Sequence, residues 1–267
     1  MISARIIADS ISAAGARITT MMVRFPRFIL AEFNTHRVFS RNAASSRAIP
    51  TAKIIDQVQR EPAMPVFWGK NQAGMQAFSE LSSGDAGVAE VIWLQARDAA
   101  VIKARELLSI ECHKQIVNRL LEPWVLTSVL VTATEWKNFF ALRCHPDAQP
   151  EMRALAEAMR DEYAKSTPQP IETGSWHIPF GDKMPLDISH TDRLKIATAR
   201  AARLSYDSFD GKTAMAKDLE LHDRLMQSGH WSPFEHAALA LDDASVSSGN
   251  LQGWKQYRKF FSGESGR

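Results

Sequence analysis

Residues 36–47, His36-Arg37-Val38-Phe39-Ser40-Arg41-Asn42-Ala43-Ala44-Ser45-Ser46-Arg47, hold three arginines, one histidine, three serines and one asparagine, with no acid. The small residues at 43–46 let backbone N–H groups come close to a ligand. Hydroxyls and guanidinium forks complete an anion cradle. The chemistry suggested is binding of one or more phosphates; an ordinary basic surface loop is the competing reading. Two further arginines stand at the ends of apolar stretches, Arg119 shortly before Pro123 and Arg143 after Phe139-Phe140-Ala141-Leu142. Cations there also suit the negative end of a helix dipole. A third group is the compact turn Gly229-His230-Trp231-Ser232-Pro233-Phe234-Glu235-His236.

The elements that must position these groups follow from patterning. Loose alternation over 3–11 and 16–25, divided by Gly15, predicts a β-hairpin. Pro26 suits the start of a helix that continues through 28–33. Residues 36–47 read as a loop that stops at Pro50, and 51–61 as a helix. Residues 62–75, with Pro62, Pro65, Gly69 and Gly74, read as a loop. A long helix is predicted over 87–121, with Val91, Leu94, Val101, Leu108 and Cys112 near helical spacing, broken by Pro123. A second, very apolar helix is predicted over 124–142; its Trp124, Trp136, Phe139 and Phe140 read as core. Pro150 can open a third, to about residue 164. Residues 165–190 hold four prolines and two glycines and read as an irregular excursion. Helices are predicted at 191–204 and 214–228, the latter capped by Gly229. A short strand at 237–241 follows, and then a basic-aromatic tail with Trp254, Tyr257, Phe260 and Phe261. The sum is a helix-dominated α+β fold with a small antiparallel sheet.

Composition limits the function classes. The chain has 267 residues, 45% hydrophobic and 23% charged, which supports one large domain over 1–267 with a sizeable core. Lys+Arg 32 against Asp+Glu 30 gives +2, too balanced for a protein living on nucleic-acid backbone. A nucleic-acid-binding module using the basic loop and aromatic tail is therefore the weaker alternative. No apolar run approaches the ~20 residues of a spanning helix. Arg5, Asp9, Arg17 and Arg24 interrupt any secretory signal, so a cytoplasmic protein without membrane partners is expected. Cys112 and Cys144 are the two cysteines, expected as free thiols. No CxxC, HExxH or zinc-type spacing occurs, so no metal site is expected.

Three blocks resemble the flavin-dependent thymidylate synthase family. His36-Arg37, Ser40, Asn42, Ser45 and Arg47 fall at the offsets of its Arg-His-Arg…Ser signature. Asn118-Arg119-Leu120-Leu121-Glu122-Pro123, Asn138-Phe139-Phe140-Ala141-Leu142-Arg143 and Ala148-Gln149-Pro150-Glu151-Met152 resemble a second block. Ala201-Ala202-Arg203-Leu204-Ser205-Tyr206 with residues 229–236 resembles a third, Ala-Ala-Arg-x-Ser and Gly-His-x-x-Pro-Phe-Glu-His. In the ordinary family the third block precedes the first. Here it lies near the C-terminus, so the order is that of a circular permutant, with 165–190 as the natural joint.

The resemblance implies an enzyme that moves a one-carbon unit from methylenetetrahydrofolate to C5 of dUMP, giving dTMP. FAD carries reducing equivalents from NADPH, and the protein supplies binding and electrostatics. It implies nucleotide-binding roles for Glu32, Ser45, Arg47, Arg119 and Arg143. Arg143 is also the expected catalyst, stabilising negative charge on the ring as C5 becomes nucleophilic. His36, Arg37, Asn138, Ser205, His230 and Ser232 are implied for FAD. Glu235 and His236 read as a structural pair that hydrogen-bonds backbone. A homotetramer with shared sites is implied as well. The chain departs from the pattern at Glu32 for a Gln, Thr35 for an Arg, Ala43 for a Glu and Ala48 for a Tyr, and at Thr132 and Thr134 for an Asn and an Arg that touch FAD. A divergent flavoenzyme adding another group to dUMP or a related pyrimidine nucleotide is the alternative.

Overall fold

The computed structural model describes residues 1–185, 187–204 and 215–264. Strands β1 (Ser3–Ser12) and β2 (Arg17–Pro26) form the expected antiparallel hairpin, with Gly15 at φ 84 in its turn. A left-handed φ is open to glycine at no steric cost. A 3-10 turn at Arg27–Ile29 follows Pro26 and leads into helix α1 (Leu30–Phe33), as expected.

Strand β3 (Ser40–Ala43) lies inside the segment read as a loop. It pairs antiparallel with β4 (Leu126–Ala133), Ser40 opposite Thr132 and Ala43 opposite Val129. Strand β4 corrects the second expectation, a helix over 124–142. Leu126-Thr127-Ser128-Val129-Leu130-Val131-Thr132-Ala133 is buried almost throughout. An apolar run covered on both faces carries no period to separate strand from helix. Only its end is helical, as α5 (Lys137–Arg143). Trp124, Trp136 and Phe139 are core nonetheless, at 8%, 4% and 1% exposure, and Phe140 packs against Trp136 and Phe139.

The long helix also ends earlier than expected. Helix α2 (Thr51–Arg60) precedes α3 (Ser83–Ser109), which stops where Glu111 takes φ 60. A short α4 (Lys114–Val117) and a 3-10 segment, Asn118–Trp124, follow. Arg119 therefore sits on a tight 3-10 turn and not within an α-helix. One face of α3 packs Val101 and Ala104 against Ile54, Val58, Val117 and Leu121. Its other face leaves Val88, Val91, Ile92 and Ile102 between 53% and 59% exposed. These four recur at helical spacing and form one apolar row.

Pro150 opens α6 (Pro150–Lys165), matching the expectation. The excursion at 165–190 is not wholly irregular. It contains β5 (Gln169–Ile171), parallel to the end of β1, and β6 (Trp176–His177). The main sheet runs β3-β4-β2-β1-β5, so it is larger than expected and carries one parallel pair. Helices α7 (His190–Ala202) and α8 (Met215–Gln227) stand close to their expected bounds, and Gly229 follows α8 at φ 69. The turn 230–236 contains a 3-10 segment, Ser232–Glu235. Strand β7 (Ala238–Ala240) pairs with β6 and, beyond the small hairpin β8 (Ser247–Ser248) and β9 (Leu251–Gln252), with β10 (Trp254–Gln256). Cys112 and Cys144 are free. Among the described residues no helix is long and apolar enough to cross a membrane, and no cluster of three or more His, Cys, Asp or Glu could hold a metal.

The main core joins β2 and β4 to α6 through Met21, Val23, Phe25, Val131, Phe139, Met152 and Leu155. Beneath it runs a buried polar chain. Ser10 Oγ meets His177 Nδ1 at 2.9 Å, and His177 Nε2 meets Thr20 Oγ1 at 2.8 Å. Thr20 Oγ1 meets Thr132 Oγ1 at 2.7 Å, which meets His236 Nδ1 at 2.9 Å. Burial lowers the pKa of His177 to about 4 and of His236 to about 3, so both rings are neutral.

Candidate functional site

Three groupings emerge from the expected residues. The first is built on α1, the turn after it, and the end of α5. Arg143 donates from Nε to His36 Nε2 at 2.9 Å and from Nη1 to the Glu32 carboxylate. His36 stands edge-on to Phe139, ring centroids 4.8 Å apart, and is 9% exposed. Burial first, then the Arg143 and Arg41 charges, lower its pKa to about 4. Its ring is thus a neutral acceptor at Nε2 with the proton on Nδ1. The acid at Glu32 finds its compensation here: it is paired with a guanidinium. Arg143 Nη2 has no partner among the described residues, which leaves donors open to a ligand.

Arg41 fixes this corner and was not singled out from the sequence. Its Nη1 donates to the carbonyls of Asn34 and His36, both at 2.9 Å, and of Phe33 at 3.3 Å. That caps the carbonyls left open at the end of α1. The basic run carried the only signal for it. Arg37 beside it is exposed, with no hydrogen bond or ion pair among the described residues.

The second grouping holds the turn after β3. Asn118, 1% exposed, donates from Nδ2 to Ser46 O at 2.6 Å and Ile49 O at 3.0 Å, and accepts from Thr51 Oγ1 at 2.7 Å. Ser46 Oγ donates to Glu122 Oε1 at 2.8 Å. The same carboxylate oxygen takes Arg119 Nη1 at 2.7 Å and Arg27 Nε at 3.0 Å. Arg119 and Arg27 line an open cleft of about 790 Å³ with Ala31, Asn34 and Trp93. Arg47 is exposed on the turn, without an ion pair among the described residues, and Ser45 is half-buried. Ser45, Arg47 and Arg119 are thus brought to one place by Asn118 and Glu122. Both belong to a quoted motif, yet their partners lie some seventy residues away and left no local mark. Within the chain, no hydrogen bond among the described residues joins this grouping to Arg143.

The third grouping lies between α7 and α8. His230 is exposed, its Nδ1 sharing a hydrogen bond with Ser228 Oγ at 2.9 Å. It lines a cleft of about 780 Å³ with Arg203, Lys217, Glu220, Arg224 and Leu225. Ser232 is exposed two residues on. Ser205 lies outside the described residues. The first and third groupings are joined through β3. Asn42 Nδ2 donates to Ala201 O at 3.1 Å, and Ser40 Oγ donates to Asn250 Oδ1 at 3.1 Å. Blocks at opposite ends of the sequence therefore meet in space.

One expectation needs correcting. Glu235 and His236 are structural, but through side chains: Glu235 accepts from Arg258 at 2.5 Å and His236 shares the Thr132 hydroxyl. Thr132 is wholly buried in the polar chain, and Thr134 Oγ1 accepts from Gln252 N at 3.1 Å. Thr132 thus holds the core and Thr134 a hairpin. Asn138 is exposed on α5, with no side-chain hydrogen bond among the described residues.

This α+β frame brings clustered, partly uncommitted arginines together, and comparison places the fold. A family model described as thymidylate synthase complementing protein matches residues 14–169 and 188–267. The chain belongs to that family, and with it to the flavin-dependent thymidylate synthase-like methyltransferases. The interruption, 170–187, falls inside the excursion. Among solved structures, a UMP/dUMP methylase, PolB, from Streptomyces cacaoi bound with 5-Br dUMP has a TM-score of 0.52 at 17% identity, covering 62% of this chain and 90% of that one. The same enzyme bound with 5-Br UMP gives 0.51 at 16%, covering 62% and 89%. Thymidylate Synthase X from Helicobacter pylori with FAD and dUMP gives 0.39 at 15%, covering 55% and 67%. No curated protein sequence matches the chain.

Proposed function

We propose that the chain methylates dUMP at C5 to give dTMP, with FAD as bound cofactor and methylenetetrahydrofolate and NADPH as co-substrates. The observation that carries this reading is Arg143, a guanidinium clamped on two sides with donors left over. A fixed donor costs no reorganisation when negative charge develops on a pyrimidine carbonyl. Glu32 and His36 hold that fork in place, and Arg41 holds the turn that carries them. Ser45, Arg47 and Arg119 take the nucleotide phosphate; Asn118 and Glu122 shape their turn. FAD, when bound, supplies the electrons that bring the transferred carbon to the methyl level. His230, Ser232, Arg37 and Asn138 present exposed polar groups suited to holding it, with Ser205 as a further contact.

Arg119 and Arg143 stand in separate groupings of one chain, which supports sites completed between copies, in a homotetramer. The whole chain, 1–267, acts as one cytoplasmic enzyme unit, in permuted order about the 165–190 joint.

Mass spectrometry of the product from dUMP, methylenetetrahydrofolate, FAD and NADPH tests the reaction. A nucleotide heavier by one CH2 is expected. Another mass increment selects the divergent flavoenzyme, and no turnover with no dUMP binding overturns the reading. UMP belongs in the same assay, because the PolB neighbours carry both nucleotides in their names.

A further inference from the structure

We propose that Thr20 and Thr132 lock the rings of His177 and His236 into one shared tautomer, with the proton on Nδ1 of both, and that His177 is thereby a positioning residue for His236 and the turn it ends. This lock needs no bound molecule, so it stands apart from the reaction proposed above.

Strand register builds the chain. Thr20 on β2 lies directly opposite Thr132 on β4. Residues paired in this way point to one face of the sheet, so the two hydroxyls meet. His177 on β6 lies opposite Ala238 on β7, and His236 follows the 3-10 segment two residues before β7. One ring therefore reaches Thr20 and the other Thr132. Ser10 closes the outer end, on the wall of an open cleft of about 630 Å³. All five residues are 4% exposed or less.

Proton counting couples the rings. Burial keeps both neutral, so each has one N–H and one bare nitrogen. Each hydroxyl has one hydrogen to give. Suppose His177 carried its proton on Nε2 and His236 on Nδ1. Both threonines would accept from a ring, one hydroxyl hydrogen would join them, and the other would have no acceptor in the chain. In the opposite mixture both hydroxyls would donate to rings. The two oxygens, 2.7 Å apart, would then face each other with no hydrogen between them. Only matched rings complete all four hydrogen bonds and strand no hydroxyl.

The inner end selects between the two matched forms. His236 Nε2 is buried and has no hydrogen-bond partner among the described residues. A proton there would be an orphaned N–H, whereas a bare nitrogen is only an unused acceptor. Buried N–H groups left unpaired are the rarer of the two. His236 Nδ1 thus donates to Thr132, Thr132 to Thr20, Thr20 to His177 Nε2, and His177 Nδ1 to Ser10. Ser10 keeps its own hydrogen for the cleft it lines. His177 lies in the stretch 170–187 that the family model passes over, and His236 in the part it matches. A residue outside the family pattern thereby fixes the protonation of one inside it.

The test is imidazole nitrogen NMR of the full chain with isotope-labelled histidine at pH 7. His177→Gln and His236→Gln assign the signals. Both rings are expected neutral, with Nδ1 protonated and Nε2 bare. Thr20→Val keeps the branched shape that suits a strand and removes the hydroxyl between the rings. Thr132 is then left with only His236 to donate to. The His236 nitrogens should therefore shift toward the Nε2–H form, although no hydrogen bond joins Thr20 to that ring. Thr198→Val removes another buried hydroxyl, which donates to Leu194 O at 2.9 Å, and should leave both rings as they are. Unfolding midpoints verify that the variants fold, and the parent spectrum decides the shared tautomer whether or not they do. Rings in opposite tautomers, a charged ring, or protons on Nε2 of both overturn the assignment. So does a folded Thr20→Val whose His236 signals match the parent's, or a Thr198→Val that shifts them equally.

Discussion

Arg143 and Arg47 belong to the same expected nucleotide site, yet they live in opposite conditions. Arg143 is nearly four-fifths covered, at 21% side-chain exposure, and two of its nitrogens are already engaged. Arg47 is exposed on a turn and engages nothing among the described residues. The turn itself is the fixed part: Asn118 and Glu122 anchor it from below. A preorganised fork loses little freedom when charge appears beside it, whereas a free arginine must be ordered by the ligand it binds. The first arrangement suits a group acting on the reacting ring. The second suits a group that captures a phosphate and releases it.

Acid is the strongest lever on the fixed side. His177 is wholly buried with a pKa lowered to about 4, and His236 with one lowered to about 3. In the unfolded chain both take protons near 6.5, so the unfolded state binds more protons as pH falls below that value. Stability is full above about 6.5 and declines down to about 4 for His177 and about 3 for His236. The loss is on the order of 3–5 kcal/mol for each ring. Urea unfolding at pH 7 and pH 5 reads the first part of it, about 2 kcal/mol for each ring. A flat profile over that interval breaks the picture of neutral, buried rings.

Asn118→Ala comes next. It leaves two carbonyls and the Thr51 hydroxyl without their partner in the interior, at a cost of about 3 kcal/mol. The unfolding midpoint reports it, and nucleotide affinity should fall as the turn loosens. Unchanged stability with weaker binding would move Asn118 into the ligand's own contacts.

Arg47→Ala should leave unfolding within about 0.5 kcal/mol of the parent. It should weaken dUMP binding by about 1.5–3 kcal/mol and FAD binding by less. Equal losses for both ligands blur the contrast between the two arginines. The smallest expected change in binding belongs to Arg143→Lys. The charge stays but the fork goes, so turnover should fall by more than the Michaelis constant rises. A pure Michaelis-constant effect would make Arg143 a capturing group like Arg47.

What could be read in the sequence follows the same division between local and distant causes. The β1–β2 hairpin, α6 behind Pro150 and the Gly229 cap depend on nearby residues and were legible. Strand β4 was not, because both of its faces are covered. Strand β3 was hidden for another reason: its pairing partner and the side chains that secure it, Asn250 and Gln256, lie far along the chain. In the site, the motifs brought out Arg143, Arg47 and Arg119. They gave no indication that His36 would serve as an acceptor behind Arg143, or that Ser46 would be fastened to Glu122. Those facts depend on carboxylates and carbonyls folded in from other segments.

The apolar row on α3 has a consequence in temperature. Val88, Val91, Ile92 and Ile102 keep more than half of their surface in water in a single chain. Near room temperature the drive to cover such surface is almost entirely entropic, and it weakens on cooling. An assembly that covers this row is therefore held least firmly in the cold, and its formation carries a negative heat-capacity change. Preparations kept on ice and preparations kept warm would then contain different proportions of single chains.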